Sequence, residues 1–409
     1  MELDLSPLFN LQATPIRMSD LERAAQELPN YLESFQARDQ GFAHLPRLKA
    51  PILAVRKVLQ GLSHDYGTMV VMGIGGSALG VSTVRDFCKG VAHNFKNDHR
   101  VFVLDNLDML GEIEPLLDLS DTLFVVISKS GTTIESMAQY FYFRAKVGRE
   151  QFIFVTDPEK GELRRIAEEE GIPCLSIPEN VGGRYSVLTP VGLLPAAYLG
   201  LDIDALLAGA EAMSEEFFSL DFKENRPFQL AAAQFLLERH YGVTQSVMMP
   251  YSTALSTFSE WYAQLLAESL GKNGLGLTPI VALGATDQHS QIQLYNEGPR
   301  DKFLMFLEVE SEDSLQVPQV DRPAFRSLSG RSFHELMKIE LDATASALSE
   351  YDRPSIRIRI SKRSEMELGA LFQFFESSVA FLGEFYSINA FDQPGVELAK
   401  KLIHQRLKS

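Results

Sequence analysis

Short apolar runs alternate with helical periodicity from Thr68 to about residue 200. Apolar runs that are rich in β-branched residues and bounded by polar turns are typical of buried parallel strands. Five runs predict strands: TMVVMG at 68–73, VFVLDN at 101–106, TLFVVIS at 122–128, QFIFVT at 151–156 and PCLSIP at 173–178. Helical segments separate most of them, and this alternation predicts a parallel, doubly wound sheet.

The second half of the chain repeats this pattern with longer helices. Strands are predicted for QSVMMPY at 245–251, PIVALGA at 279–285, KFLMFLEVE at 302–310 and SIRIRIS at 355–361. Helices are predicted at 252–270, 288–295, 366–386 and 396–407, with another after Ser329. Residues 1–50 show mostly helical periodicity, with Pro29 ending the first helix. We therefore expect an α/β protein with two mainly parallel sheets flanked by helices, and a boundary near residue 200.

Composition and charge narrow the class of protein. The chain has 409 residues, of which 45% are hydrophobic and 22% charged, as is ordinary for a soluble chain that buries a sizeable core. Its net charge of −16 argues against a nucleic-acid binder and against binding to an anionic membrane surface. A small anionic substrate remains compatible, because local N–H groups and a few cations can outweigh a distant negative field.

Cysteine usage and the N-terminus predict a cytoplasmic location. Cys88 and Cys174 belong to no CxxC or Cys/His cluster, which is typical of reduced, apolar side chains. The start MELDLSPLFN lacks the features of a signal peptide, and no apolar run approaches the ~20 residues that span a bilayer. The eight histidines include no HxxxH or HExxH, so no metal site is expected.

The loop SKSGTT at 128–133 has a high density of polar side chains. It supplies four hydroxyls and the ammonium of Lys129 between a predicted strand and a predicted helix. A polar loop at the carboxyl end of such a strand is where open α/β sheets bind anions. The alternative is that the hydroxyls only cap the helix, although a cap uses one or two of them. The loop is predicted to bind an anion.

A glycine-rich loop, GIGGSALG at 73–80, follows the first predicted strand. Gly73, Gly75 and Ala78, with Asp105 after the next strand, match the spacing of a dinucleotide-binding fingerprint. Ser77 would lie at the helix N-terminus, which suits a single phosphate better than a pyrophosphate. A turn that serves only packing is the third interpretation.

Two charged residues in the middle of the chain are candidates for catalysis. In GGRYS at 182–186, the two glycines allow close approach of a ligand and Arg184 offers a planar cation. The alternative is a surface turn with a solvated arginine. Glu268 ends the helix predicted at 252–270, where the helix dipole disfavours a carboxylate. It is either a base or one half of an i,i+4 pair with Lys272.

Two residues nearer the C-terminus complete the set. His289 lies in GATDQHS at 284–290, again between a strand and a helix, where a histidine is well placed for proton transfer. A lone histidine is more often structural. Lys400 lies one turn into the last predicted helix. Residue type alone does not distinguish it from its neighbour Lys401.

Taken together, these segments resemble the phosphoglucose isomerase family, in its shorter bacterial form. The matching pieces occur in the family's order: GIGGSALG at 73–80, SKSGTT at 128–133, GGRYS at 182–186, ESLGK at 268–272, GATDQHSQIQLY at 284–295 and FDQPGVELAKKL at 391–402. The resemblance implies two sugar-isomerase (SIS) type domains, one formed by 46–200 and one by 1–45 with 201–409. It also implies a homodimer with an active site shared between subunits, and neither cofactor nor metal.

The resemblance also implies a role for each residue. The phosphate-binding and other substrate-binding residues would be Gly76, Ser77, Ser128, Lys129, Ser130, Thr133, Gly183 and Gln393. Glu268 would move a proton between C1 and C2, and Arg184 would stabilise the enediolate oxygens. His289 would assist ring opening from the other subunit, and Lys400 would lie near the ring oxygen. Ala399, where many relatives have glycine, and Leu270, where longer forms have asparagine, depart from the family pattern without removing a functional group.

The resulting prediction is an aldose–ketose isomerase acting on glucose 6-phosphate and fructose 6-phosphate through a cis-enediol(ate), in glycolysis and gluconeogenesis. A single carboxylate can serve both carbons, because the carbonyl acidifies the neighbouring C–H. Three alternatives stay open at this point: an isomerase that also accepts mannose 6-phosphate, a non-catalytic sugar-phosphate sensor, and a dinucleotide enzyme. A sensor would need the phosphate loops without the three residues Glu268, Arg184 and His289.

Overall fold

The computed structural model describes residues 1–96, 98–312 and 314–407. The strands within these ranges are β1 (Glu2–Asp4), β2 (Thr68–Met72), β3 (Arg100–Leu104), β4 (Thr122–Ile127), β5 (Phe152–Thr156), β6 (Cys174–Ser176), β7 (Gln245–Pro250), β8 (Thr278–Val281), β9 (Lys302–Val309) and β10 (Ser355–Ile360). Nine of them are the strands that the sequence predicts. Their ends shift by one or two residues, except that β8 ends four residues before the predicted Ala285.

The α-helices pack around these strands. They are α1 (Met18–Ala24), α2 (Leu28–Ala37), α3 (Ala50–Gln60), α4 (Leu79–Lys89), α5 (Met109–Ile113), α6 (Ile134–Arg144), α7 (Glu162–Glu170), α8 (Pro190–Tyr198), α9 (Ile203–Phe217), α10 (Arg226–Tyr241), α11 (Ser256–Leu270), α12 (Ile292–Glu297), α13 (Phe333–Glu350), α14 (Glu365–Phe385) and α15 (Glu397–Leu407). Short 3₁₀ turns join several of them, and those at Gly75–Ser77 and Gly183–Tyr185 bear on function. Among the described residues, no helix combines the length and the apolarity that crossing a bilayer requires.

The first sheet has the order β3-β2-β4-β5-β6, and all of its pairs are parallel. Strands β2, β4 and β5 are buried throughout, which explains their continuous apolar sequence. The chain leaves β2 on one side towards β3 and then returns to β4 on the other side. The topological switch point therefore lies between β2 and β4, where such sheets bind ligands outside the carboxyl ends of the strands.

The second sheet has the order β1-β10-β9-β7-β8. Its strand pairs from β10 to β8 are parallel, and its switch point lies between β7 and β9. The edge strand β1 is antiparallel to β10, with Leu3 opposite Ile358. The mostly helical pattern of residues 1–50 did not predict this strand, because a short edge strand carries too few residues to show a period. The pairing places the first residues of the chain at the edge of the second sheet.

Two other local expectations were wrong. Pro29 does not end a helix but lies in the first turn of α2, where its missing N–H costs nothing. The helix expected at 288–295 begins only at Ile292, after a 3₁₀ turn at Thr286–Gln288. Both errors concern helix ends, which depend on backbone geometry that the apolar period does not encode.

One hydrophobic core spans both sheets. It joins Val71 and Val125 of the first sheet to Met305 and Ile358 of the second. Helix α14 is buried on all its faces from Leu368 onward and packs against α9 and α10, as its apolar composition requires. Helix α11 packs against α4 of the first sheet's half of the molecule. The two halves are thus held together by packing, with α11 between them.

Candidate active site

The loop at 128–133 gathers its hydroxyls into one cluster. Ser128 Oγ lies 2.8 Å from Thr133 Oγ1, and Ser130 Oγ lies 3.5 Å from both. Thr133 occupies the N-cap position of α6, yet its side chain makes no capping hydrogen bond. The hydroxyls are therefore not consumed by capping the helix. Together with the first N–H groups of α6, they form a set of donors suited to an anion.

Lys129 lies at the side of this cluster. Its ammonium donates to the carbonyl oxygens of Glu179 at 2.8 Å and Val181 at 2.7 Å, which leaves one N–H for a ligand. Burial lowers the pKa of Lys129, while Asp157 and Glu179 act in the opposite direction. Lys160 also faces the cleft and forms an ion pair with Glu179 at 2.6 Å. The loop thus has two cations beside it.

The glycine-rich loop brings a second polar loop to the same place. A Cβ at Gly76 would lie 2.3 Å from the carbonyl oxygen of Gly183, so the two backbones touch only because residue 76 is glycine. Ser77 follows in the 3₁₀ turn that precedes α4. This contact explains by packing why residue 76 is glycine, and it places Arg184 next to the loop after β2.

Arg184 is the best-connected side chain of the site and is 4% exposed. Its Nε donates to Ser269 Oγ at 2.7 Å, and its Nη2 donates to the carbonyl oxygens of Ala390 at 2.6 Å and Asp392 at 3.0 Å. The remaining nitrogen, Nη1, donates to Gln393 Oε1 at 3.1 Å and lies 3.4 Å from Glu268 Oε1. The solvated surface arginine is therefore excluded, and the orientation of the guanidinium is set by the protein.

Glu268 stands in the last turn of α11 with its side chain 24% exposed. Gln264, one turn earlier, donates from Nε2 to Glu268 Oε2 at 3.0 Å. Lys272 does not pair with Glu268, because its ammonium binds Asp392 Oδ1 at 2.8 Å instead. The carboxylate is thus held by an amide on one side and by the arginine on the other, which fixes the direction in which it faces.

The segment after α14 is tied to this centre. Lys272 also donates to the carbonyl oxygen of Asn389, and Arg184 binds the next residues of the same segment. These bonds hold Gln393 against the arginine. Two buried or half-buried cations therefore fix the path of the chain just before the 3₁₀ turn at Pro394–Val396.

One cleft of about 750 Å³ collects most of these residues. Ten of the twelve predicted site residues line it: Gly76, Ser77, Lys129, Ser130, Thr133, Gly183, Arg184, Glu268, Gln393 and Lys400. Ser128 lies just behind the lining, 2% exposed and bonded to Thr133. Lys400 enters from α15, where its ammonium is 2.9 Å from Glu397. The cleft lies at the switch point of the first sheet and is closed on the far side by α11.

His289 is the second predicted residue, besides Ser128, that does not line this cleft. It follows the 3₁₀ turn at Thr286–Gln288 and is exposed. The loop and 3₁₀ turn that follow β8 of the second sheet place His289 on the surface. Within one chain, His289 therefore lies apart from the cleft that contains Glu268 and Arg184.

Gln264 and Lys160 line the cleft without having been predicted from the sequence. A signal for Gln264 was available, because residues four apart on a helix share a face and Gln264 precedes Glu268 by four. Lys160 had no such signal. It lies in an ordinary-looking loop after β5, and only the parallel pairing of β4 with β5 brings that loop beside 128–133.

The chain is similar to proteins named glucose-6-phosphate isomerase in several organisms. The protein of Carboxydothermus hydrogenoformans is 39% identical over 439 aligned residues, which cover 100% of this chain and 94% of the relative. The protein of Thermus thermophilus is 39% identical over 358 residues, which cover 83% of each chain.

Solved structures have the same fold. A hypothetical protein from Thermus thermophilus superposes with a TM-score of 0.89 and 33% identity, covering 100% of both chains. A glucose-6-phosphate isomerase from Chlamydia trachomatis superposes with a TM-score of 0.84 and 23% identity, over 97% of this chain and 87% of the other.

The family model described as phosphoglucose isomerase matches residues 61–278 and 328–409. These ranges contain the hydroxyl cluster, Arg184, Glu268 and Lys400. His289 lies between them, in the segment that the model does not match. The motifs, the cleft and the relatives agree, and this chain belongs to the phosphoglucose isomerase family.

Proposed function

We propose that this protein interconverts glucose 6-phosphate and fructose 6-phosphate through a cis-enediol(ate) intermediate. The observation that carries the proposal is that one cleft contains both an anion-binding cluster, 128–133, and a carboxylate held by Gln264 and Arg184. Phosphate binding at the first would hold the inert end of the sugar. The reacting carbons would then lie beside the second, which is the arrangement that this isomerisation needs.

Glu268 is the proposed base. It removes the proton from the carbon next to the carbonyl and returns it to the adjacent carbon, so that one group acts first as base and then as acid. Its two oxygens are oriented by different partners, Gln264 and Arg184. These two contacts hold the carboxylate in one position while it removes the proton from one carbon and returns it to the other.

Arg184 is the proposed electrostatic partner of the developing oxyanion. A positive group that is already fixed costs no reorganisation when the charge develops. Four hydrogen bonds to Ser269, Gln393 and two carbonyl oxygens fix this guanidinium before any substrate binds. Of its nitrogens, Nη1 is the one nearest Glu268.

His289 is proposed to act in the cleft of a second copy of the chain, where it would assist ring opening. Its exposed position outside the cleft of its own chain supports this part of the proposal. The functional unit is accordingly a homodimer, and Lys400 on α15 stands near the ring oxygen within the same site. The two cysteines form no disulfide, which supports a cytoplasmic location for this step of glycolysis and gluconeogenesis.

The direct test of the function is conversion of fructose 6-phosphate into glucose 6-phosphate by the purified protein, measured beside mannose 6-phosphate. The matched binding test is thermal unfolding. Fructose 6-phosphate should raise the unfolding temperature, because a ligand that binds only the folded state stabilises it, and NAD should leave it unchanged. Stabilisation by NAD alone, without conversion of either sugar phosphate, would contradict the proposal.

A mixing experiment tests the shared site. Glu268→Gln and His289→Ala are each expected to be inactive, and re-dimerised mixtures should regain part of the activity. A heterodimer has one site with both residues intact if His289 comes from the partner, so about a quarter of wild-type activity is expected when half of the dimers are mixed. Purified heterodimers tagged on each chain and still inactive would rule out donation of His289 across the interface.

A further inference from the structure

The loop at 283–291 holds His289 at the surface and anchors the residues on either side of it. His289 is exposed, and its imidazole makes no hydrogen bond to any residue that the structure describes. Its two neighbours differ in this respect, because the side chains of Gln288 and Ser290 are both hydrogen-bonded. Surface loops are generally mobile, so the anchoring of this one indicates that its orientation has a role.

Two buried hydroxyls bind the side chain of Gln288. Tyr251, directly after β7, donates from its phenol to Gln288 Oε1 at 2.6 Å, and Thr344 of α13 donates to the same oxygen at 3.0 Å. The two donors are only 6% and 7% exposed. Burial raises the pKa of Tyr251 to about 12, so the phenol stays protonated and remains a donor at neutral pH. The residue before His289 is thus held by a strand end and by a helix.

The ring of Tyr251 also supports the start of the loop. A Cβ at Gly284 would lie 2.4 Å from a ring carbon of Tyr251, so the loop backbone packs against the ring only because residue 284 is glycine. The N–H of Gly284 donates to the carbonyl oxygen of Pro250 at 2.9 Å. Tyr251 therefore contacts the loop twice, by packing where the loop begins and by a hydrogen bond next to His289.

Asp287 closes the loop on itself. Its carboxylate accepts from the N–H of Leu283 at 2.7 Å and from the hydroxyl of Ser290 at 2.7 Å. Its carbonyl oxygen accepts from the N–H of Gln291 at 2.7 Å. These three bonds fix the shape of the loop but join it to no other element. The orientation of the loop on the sheet depends on its outside contacts, and Tyr251 makes two of them.

We infer that Tyr251, assisted by Thr344, is a positioning residue that fixes the direction in which His289 points away from its own chain. The inference rests on the proposed function, in which His289 acts in the cleft of a second copy. A group that is already oriented loses less freedom when it meets the substrate, and a small misplacement of such a group lowers the rate. Neither Tyr251 nor Thr344 lines the active-site cleft, so their effect on turnover is expected through the loop.

Hydrogen exchange of the full-length protein tests the anchoring. Tyr251→Phe with Thr344→Val removes both hydroxyls and keeps the shapes of the side chains. In this double variant, peptides that cover 283–291 should exchange about tenfold faster or more, as the loss of two neutral hydrogen bonds predicts. Tyr241→Phe is the matched control, because its phenol also donates to a buried partner, the carbonyl oxygen of Pro15 at 2.7 Å, and it should leave this exchange within about twofold. Unchanged exchange in the double variant would overturn the inference.

Turnover tests the role in catalysis. The double variant should lower kcat for fructose 6-phosphate about tenfold, and the Tyr241 control should not. When His289→Ala is already present, the further loss should be less than about twofold, because the residue that is positioned has been removed. A full tenfold loss in that background would overturn the inference, and so would an unchanged kcat in the double variant. Wild-type turnover by His289→Ala alone would contradict the proposed role of His289 and the catalytic part of the inference, whereas the exchange experiment decides the anchoring independently.

Discussion

Replacing Glu268 with glutamine is expected to lower the turnover of fructose 6-phosphate on the order of 10²–10⁴-fold, while sugar-phosphate binding is retained. The amide has no basic oxygen that can remove a carbon-bound proton. The anion cluster at 128–133 lies elsewhere in the cleft and is unchanged. The measurement is kcat in a coupled assay, together with the rise in unfolding temperature that fructose 6-phosphate causes.

The fold should tolerate this change. Oε1 of the new side chain can still accept from Arg184. Its NH₂ group can donate to Oε1 of Gln264, a buried acceptor without a partner among the described residues, because an amide pair can be oriented either way. Loss of activity can therefore be attributed to the chemistry of the carboxylate.

Glu260→Gln is the matched control for Glu268→Gln. Glu260 lies on the same helix, two turns earlier, and does not line the cleft. The same change of atoms there should leave kcat within about twofold, as is usual for substitutions away from a site. Near-wild-type turnover of the Glu268 variant would remove Glu268 from the role of base.

Replacing Arg184 with lysine should lower both turnover and stability, although the charge is kept. An ammonium has three donors in place of the five of a guanidinium, so at least one of the four acceptors that Arg184 serves loses its partner. Each buried acceptor left unpaired costs about 1–3 kcal/mol of unfolding free energy. Displacement of the cation from the position of Nη1 should lower kcat about 10²-fold, as for the loss of one donor to an oxyanion.

Arg353→Lys separates these two effects. Arg353 is 7% exposed and also binds backbone carbonyl oxygens, those of Asn296 and Gly298, but it lies outside the cleft. Its substitution should lower the unfolding free energy comparably and leave kcat within about twofold, because it touches no group of the site. The assignment of Arg184 fails if both variants lose stability and neither loses turnover.

The sequence by itself determined the fold class and the loops that carry the candidate site residues. Continuous apolar runs such as 122–127 can only be buried on both faces, which predicts parallel strands covered by helices. The four hydroxyls of 128–133 stand next to such a run, so that strand direction alone places them at the edge where ligands bind. The motif order then predicted Glu268, Arg184 and Lys400 as site residues, and all three line one cleft.

Only the tertiary structure decided which of these groups meet. Arg184 and Glu268 are far apart in the chain, and the pairing of Arg184 with Ser269 and with 390–393 depends on the packing of α11 and α14. The same holds for Lys160, which lies beside the anion loop only because β4 pairs with β5. A residue's neighbours along the chain fix its local conformation, but its distant partners follow from how helices pack on sheets, and no single-sequence period records that packing.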